Sequence, residues 1–547
     1  MDAIEVVLAM LLAVVASAFI VRVMPRAPLP LVQIGLGALI AAKSSHGVDL
    51  EPELFFLTFL PPLLFLDGWR IPKSGLLRDK GTILELALGL VVFTVVGAGF
   101  LIHWLIPAMP LPVAFALAAI VSPTDPVAVS AIAARAPIPK RLMHILEGES
   151  LLNDASGLVC FRFAVAAALT GHFSLGSAAL TFLWLACGGL AAGIAITLLV
   201  TGIQRWLTAR FGEPAGSPIL VNLLLPFGAY LGAEHLHASG ILAAVAAGVT
   251  MSYVELSGSA LAATRIQRAA VWDTVQFALN GIMFVLLGEQ LPDIFHGARA
   301  SIAQGGHANP WWLAAYALAI SAGLLVLRFC WVWASLRLSI FKQHMRGQPR
   351  LRIKPRLLLA MSLAGVRGTI TLAGVLTLPL ALPGGAPFPA RDLTVFLASA
   401  VILISLLAAS IVLPHLLKDM HFPHEPAEQQ AEDKARREAA TAAIIAVETA
   451  QVELMPRTAD AQAWPQAAAR VIALYRHRLH EADGDGENDS GSRAALRELA
   501  DAEQALRLAA LAAERDAIFR LARHDLLPDD VTRKLVREID LVEARYR

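Results

Sequence analysis

Long apolar stretches follow one another along this chain as far as about Lys418, and that repetition leaves few folds open. A bilayer's hydrocarbon core is crossed by roughly 20 apolar residues in helical form, and in lipid every backbone N–H and C=O must be satisfied within a helix or a closed barrel. On that ruler about thirteen spans are predicted, centred near Val14, Gly35, Phe59, Val91, Ile120, Val159, Leu190, Leu224, Val245, Phe284, Leu324, Leu372 and Leu403. Composition agrees: of 547 residues 56% are hydrophobic and 16% charged, with a mean hydropathy of +0.61, far too apolar for a soluble domain of that length. The run from Glu5 to Met24 is too long for a signal-peptide core and lacks a basic leader, so it reads as the first span. The expected fold class is an all-α polytopic membrane protein.

Lys and Arg in short loops mark the cytoplasmic side. One side collects Arg22 and Arg26, then Arg70, Lys73, Arg78 and Lys80, then Arg135, Lys140 and Arg141, later Arg205 and Arg210, Arg265 and Arg268, and the run from Arg337 to Arg356. The opposite side holds Lys43, Arg299 and Arg391. The N-terminus is therefore expected outside and, with an odd number of spans, the C-terminus in the cytoplasm. Past Lys418 the chain turns rich in Ala, Glu, Arg and Leu with helical periodicity and a polar break from Asp483 to Ser492. This divides it into a transmembrane domain, 1–418, and a soluble helical tail, 419–547, whose mixed charges read as a solvated face. The net charge of +1 gives no footprint for nucleic acid. Cys160, Cys187 and Cys330 lie in apolar runs without metal or redox spacing and read as small buried hydrophobes.

Function is sought among ionisable groups inside the spans, because each costs about 2.5 to 3.5 kcal/mol at mid-membrane and tends to face a cavity or a partner. In "GESLLNDASGLV", Gly148 to Val159, Ser150 and Asp154 stand four residues apart and share a helix face, an oxygen pair suited to a small hard cation. In "VSPTDPVAVS", Val121 to Ser130, Pro123 and Pro126 bracket Thr124 and Asp125 and break the helix. Thr124 then offers a carbonyl or hydroxyl to an ion, while Asp125 caps freed N–H groups or offsets half-helix dipoles. Arg367, in "GVRGTITLAG", lies at mid-depth and needs a buried carboxylate; Glu149 is the expected partner, which leaves Asp154 to exchange its cargo. Asp67 near the cytoplasmic end of the third span is equally a cap or an accessory to the ion site. Arg162 reads as structural and Arg328 as snorkelling to the cytoplasmic interface. Asn280, His235 and Asp273 have no spacing that singles them out.

Taken in order, "SPTDPVAV", "GESLLNDASGLV", "SGILAAVAAGV" and "GVRGTITLAGV" resemble the bacterial monovalent cation:proton antiporters related to the eukaryotic sodium/proton exchangers. The resemblance covers about Val14 to Pro414, and "FLPPLLFLDGW" fits it too. It implies a homodimer in the cytoplasmic membrane of a bacterium, each protomer with a dimerisation domain and a core domain in which two broken helices cross. Inverted repeats come with that fold, although none is visible in the sequence. It also implies that Asp154 binds cation and proton in turn, with Ser150 and Thr124 as further Na+ ligands, Asn153 and Asp125 beside them, and Glu149 paired to Arg367. Asparagine before the aspartate resembles the electroneutral members.

The chemistry is that of a transporter and neither an enzyme nor a cofactor protein: proton and cation compete for one carboxylate, and alternating access couples them if the bare charge does not cross hydrocarbon. Sodium is the expected cation, with lithium or potassium as alternatives and a K+/H+ antiporter as the nearest different reading. A channel would need a continuous polar pore. An intramembrane aspartyl protease lacks its Gly-x-Gly-Asp signature. A membrane sensor would work through the tail and not through Asp154.

Overall fold

A computed structural model describes residues 3–25, 27–42, 52–71, 80–125, 140–170, 175–212, 216–256, 262–304, 309, 311–345, 355–382, 385–417 and 426–454, short pieces between 465 and 518, and 529–543. Among them there is no strand beyond an isolated bridge between Ala381 and Pro387. The chain divides into two compact units, Met1–His421 and Phe422–Arg547.

In the first unit the helices are α1 (Ala3–Val23), α2 (Leu29–Ala41), α3 (Pro52–Arg70), α4 (Lys80–Leu84), which runs through a π-helical turn (Glu85–Leu90) into α5 (Val91–Leu105), and α6 (Leu111–Val121). There follow α7 (Lys140–Thr170), α8 (Leu175–Phe211), α9 (Ser217–His235), α10 (Gly240–Leu256), α11 (Ala262–Gln304), α12 (Trp311–Met345), α13 (Pro355–Leu363), α14 (Thr369–Leu376) and α15 (Arg391–Leu417). Every span centre expected from hydropathy falls inside one of these helices. Several start on proline, as at Pro30 in α2, Pro112 in α6 and Pro218 in α9, where the missing N–H is one the first turn leaves unpaired anyway. Among the described residues seven helices are long and apolar enough to cross a membrane, and α2, α6 and α10 are further, shorter apolar helices. The protein is a polytopic, all-α membrane protein.

Two bundles make up this unit. In the first, α1, α2, α3, α8, α9, α10 and α11 pack on one another. Their contacts are close because glycine removes the side chain: a Cβ on Gly37 would strike the carbonyl of Val285, and one on Gly288 the carbonyl of Ile34, so α2 and α11 meet backbone to backbone. Gly68 against Val245 and Gly248 against Phe65 do the same for α3 and α10. Trp272 of α11 is fully buried here, stacked on Phe65 at 5.3 Å between ring centres, its indole N–H donating to Asn222 Oδ1 at 2.6 Å. In the second bundle, α4 to α7 pack with α12 to α15. The bundles meet where α3 and α11 face α7, α14 and α15.

The second unit contains α16 (Pro426–Leu454) and α17 (Asp529–Glu543). On α17, Leu535 and Ile539 are four apart on one face, with Ile539 buried, amid charged residues, so the helix is amphipathic. The polar break at Asp483 to Ser492 lies outside the described residues.

Candidate functional site

The end of α6 and the break between α13 and α14 meet at the centre of the second bundle. α6 stops at Val121 as Pro123 approaches, and α13 stops at Leu363 before the backbone resumes helical form at Thr369. The non-helical segments satisfy one another: the Asp125 N–H donates to the Val366 carbonyl at 2.7 Å, and Arg367 Nε donates to the Val121 carbonyl at 2.9 Å. The two chains pass so closely at Gly368 that a Cβ there would land on the Asp125 carboxylate. Pro126, the second proline of the sequence motif, lies outside the described residues.

The helix ends at this crossing carry charges of the favourable sign. The Asp125 carboxylate lies against Gly368, the N-cap of α14, where the dipole is positive. The Arg367 guanidinium also donates to the Gly365 carbonyl, so one arginine closes the C-terminal end of α6 and the loop that follows α13. Arg328 Nε donates to the Met361 carbonyl at 3.3 Å in the last turn of α13.

Beside the crossing lies a cavity of about 20 Å³, room for about one water-sized occupant. Thr124, Asp125, Ser150, Asp154 and Thr371 line it from the second bundle. Leu63 and Asp67 of α3, and Gln276 and Asn280 of α11, line it from the first. Helical spacing explains the wall from α7: Ser150 and Asp154 fall on one face, and Glu149 and Asn153 on the next, toward Thr124. Ser150 Oγ donates to the Thr124 carbonyl at 2.7 Å and Asn153 Nδ2 donates to Thr124 Oγ1 at 3.0 Å. The Thr124 hydroxyl donates to Glu149 Oε1 at 3.4 Å. Asp154 is 3% exposed, and among the described residues its carboxylate accepts no hydrogen bond and forms no ion pair.

Of the residues singled out in the sequence, Thr124, Asp125, Ser150, Asp154 and Asp67 thus share one cavity. Asn153 stands behind that wall, 1% exposed, positioning Thr124. The expected Glu149–Arg367 ion pair is not formed. Glu149 instead holds Arg328 in a two-pronged pair at 2.5 and 2.9 Å, with both side chains almost wholly buried. Gly365 is the physical reason: lacking a side chain, it leaves space for the stem and guanidinium of Arg328, which a Cβ would obstruct. Arg328 therefore does not snorkel, and Arg367 spends its donors on backbone carbonyls. Arg268, counted above with the loop charges, is buried in α11, paired with Glu255 and lying 5.6 Å from the Trp69 ring centre. Arg162 pairs with Glu234 at 3.4 Å, away from the cavity. Gln276, Asn280 and Thr371 are polar cavity residues that sequence reasoning did not single out; the signal for the first two was a pair of amides four apart on one helix face.

The donors that surround the cavity are carboxylate, hydroxyl, amide and backbone carbonyl, the set that suits hard cations. No group of three or more His, Cys, Asp or Glu side chains arranged to hold a metal ion occurs among the described residues.

Comparison with known proteins places this arrangement among others. Residues 7–419 match the family described as "Sodium/hydrogen exchanger, transmembrane". Over 546 residues the chain is 41% identical to the uncharacterized Na(+)/H(+) exchanger YjcE of Escherichia coli K12, covering 98% of each protein. It is 45% identical over 411 residues to the sodium, potassium, lithium and rubidium/H(+) antiporter of Bacillus pumilus, covering 74% of this chain and 60% of that relative. The fold is similar to the sodium proton antiporter MjNhaP1 of Methanocaldococcus jannaschii at pH 8, with a TM-score of 0.54 and 18% identity over 76% of this chain and 99% of that one.

Proposed function

Because the chain belongs to the sodium/hydrogen exchanger family of monovalent cation:proton antiporters, we propose that it exchanges Na+ for H+ at the cavity around Asp154, one cation for one proton. The observation that carries this reading is the state of that carboxylate. It is buried at the boundary of two bundles, faces the cavity, and among the described residues accepts no hydrogen bond and forms no ion pair, so it is open to a cation or a proton but not to both.

Thr124 and Ser150 are the proposed Na+ ligands beside Asp154. The Thr124 carbonyl already accepts from Ser150, and its second lone pair remains for an ion. Asn153 and the Glu149–Arg328 pair hold Thr124 and α7 in register. Asp125 and Arg367 neutralise the broken-helix ends, and Asp67 adds negative potential from the other wall. A bare Asp154 is costly to move through hydrocarbon, whereas a protonated or cation-bound one is not. Rocking of the second bundle against the first then carries one cargo inward and the other outward without a leak. With a single exchanging carboxylate the cycle moves no net charge. The protein acts as a homodimer in the cytoplasmic membrane of a bacterium, N-terminus outside and C-terminus inside, in keeping with the loop charges. Lithium and potassium are the alternative cations, as the broad range in the name of the Bacillus relative suggests.

Everted membrane vesicles carrying an inward proton gradient and a pH-sensitive dye test the exchange. Added Na+ is expected to collapse the gradient, at a rate unchanged when valinomycin and K+ clamp the membrane potential. No response to Na+, Li+ or K+ from neutral to alkaline pH would remove the reading, and a rate that follows the potential would remove its electroneutrality.

A further inference from the structure

The cation cavity is built by two bundles, and only one of them holds the proposed ligands. The other contributes an amide pair on α11, Gln276 and Asn280, separated by one helical turn so that both side chains face the cavity. They are in different states. The Gln276 carbonyl oxygen accepts from Arg70 at 2.7 Å, and Arg70 also pairs with Asp273, so this amide is tethered to the end of α3. Asn280 makes no hydrogen bond among the described residues. It thus brings an amide, whose carbonyl oxygen is a neutral hard donor, to the wall of the cavity of about 20 Å³ that Asp154 and Thr124 line from the other bundle.

We infer that Asn280 determines which monovalent cation the site prefers, supplying one carbonyl ligand and setting the cavity's width from the opposite bundle. This rests on the reading of the cavity as the cation site. A cavity this small accommodates one ion only when most of its water is replaced by protein oxygens, so the cost of a lost ligand and the gain of added space fall differently on small and large ions. Removing the amide withdraws a ligand that a compact ion needs and opens room for a larger one. Lengthening it by one methylene narrows the same space. Because Asn280 belongs to the bundle that does not carry Asp154, the contact is made in the conformation described here and is broken when the bundles rock apart. Its effect falls on cation affinity and not on the turnover of the loaded carrier.

The test is the rate of gradient collapse in everted vesicles against concentration of Na+, Li+ and K+, for wild type, Asn280→Ala and Asn280→Gln, each checked for wild-type protein level. For Asn280→Ala the Na+ KM is expected to rise about fivefold, the loss of one neutral polar contact, with the maximal rate retained and the K+ to Na+ preference shifted toward K+. Asn280→Gln is expected to shift preference the opposite way, toward Li+ and Na+. Wild-type ratios and KM values in both variants, in vesicles whose wild-type protein exchanges cations, would overturn the assignment of Asn280 alone. A merely structural role would lower the maximal rate for all three ions in parallel, and that result also overturns it. If the wild type itself gives no cation-dependent response, the reading of the cavity falls, and this inference with it.

Discussion

The two bundles of the membrane unit differ in what lies at their centres. In the first, helices approach until backbone touches backbone, at Gly37 and Gly288 between α2 and α11 and at Gly68 and Gly248 between α3 and α10. Such contacts are dense, apolar and intolerant of any added atom. In the second bundle the centre is polar: the end of α6 against the break between α13 and α14, two buried arginines on helix ends, and a buried Glu149–Arg328 pair. On the proposed exchange cycle, the difference is one between a frame and a carrier. Glycine packing offers a single close geometry and so suits the part that stays still. A centre in which the ends of α6 and α13 and the start of α14 carry countercharges suits a part that, on the proposed cycle, presents a carboxylate to either side.

Three substitutions probe this contrast, in decreasing order of expected effect. Arg328→Met strands Glu149 as an unpaired buried charge, and is expected to cost about 3 to 5 kcal/mol, read as loss of folded protein in thermal unfolding in detergent. Adding Glu149→Gln to the same chain should restore most of that stability; no rescue would show that the pair is not what holds the carrier's centre. Gly68→Leu in the frame forces a side chain onto the backbone of α10, with an expected cost of about 1 to 3 kcal/mol in the same measurement. A neutral result there would show that α3 and α10 have freedom to separate, contrary to a rigid frame. Arg162→Ala breaks the half-exposed pair with Glu234 and should change stability by less than about 1 kcal/mol, with exchange unaltered. A large effect at Arg162 would move the carrier's essential electrostatics away from the crossing.

Much of this was legible in the residues. Hydropathy placed every span centre inside a helix, because the bilayer's demand on length and apolarity is read one segment at a time. Thr124, Ser150 and Asp154 were legible as one cluster, since a proline break and an i, i+4 pair are local patterns. The partner of Glu149 was not, because the choice between two arginines was decided by packing: Arg328 lies 179 residues away and reaches Glu149 only where Gly365 makes room. Asn280 escaped for a related reason. Its spacing from Gln276 puts two amides on one helix face but carries no sign of which neighbour that face meets, and the wall it forms with Asp67 exists only once α3 and α11 are assembled. Arg268 misled in the other direction, since a basic residue near a span end counts toward orientation whether it meets water or, as here, Glu255 and Trp69.

The central claim is that Asp154 alone alternates between cation and proton, with the remaining charges of the site keeping the broken helices in place. The most direct measurement is exchange of radioactive Na+ into proteoliposomes against an outward proton gradient, comparing wild type with Asp154→Asn at equal protein level and thermal stability. The account predicts Na+ uptake driven by the gradient in the wild type and none above protein-free liposomes for Asp154→Asn. Uptake by a stable Asp154→Asn protein at the wild-type rate would contradict it.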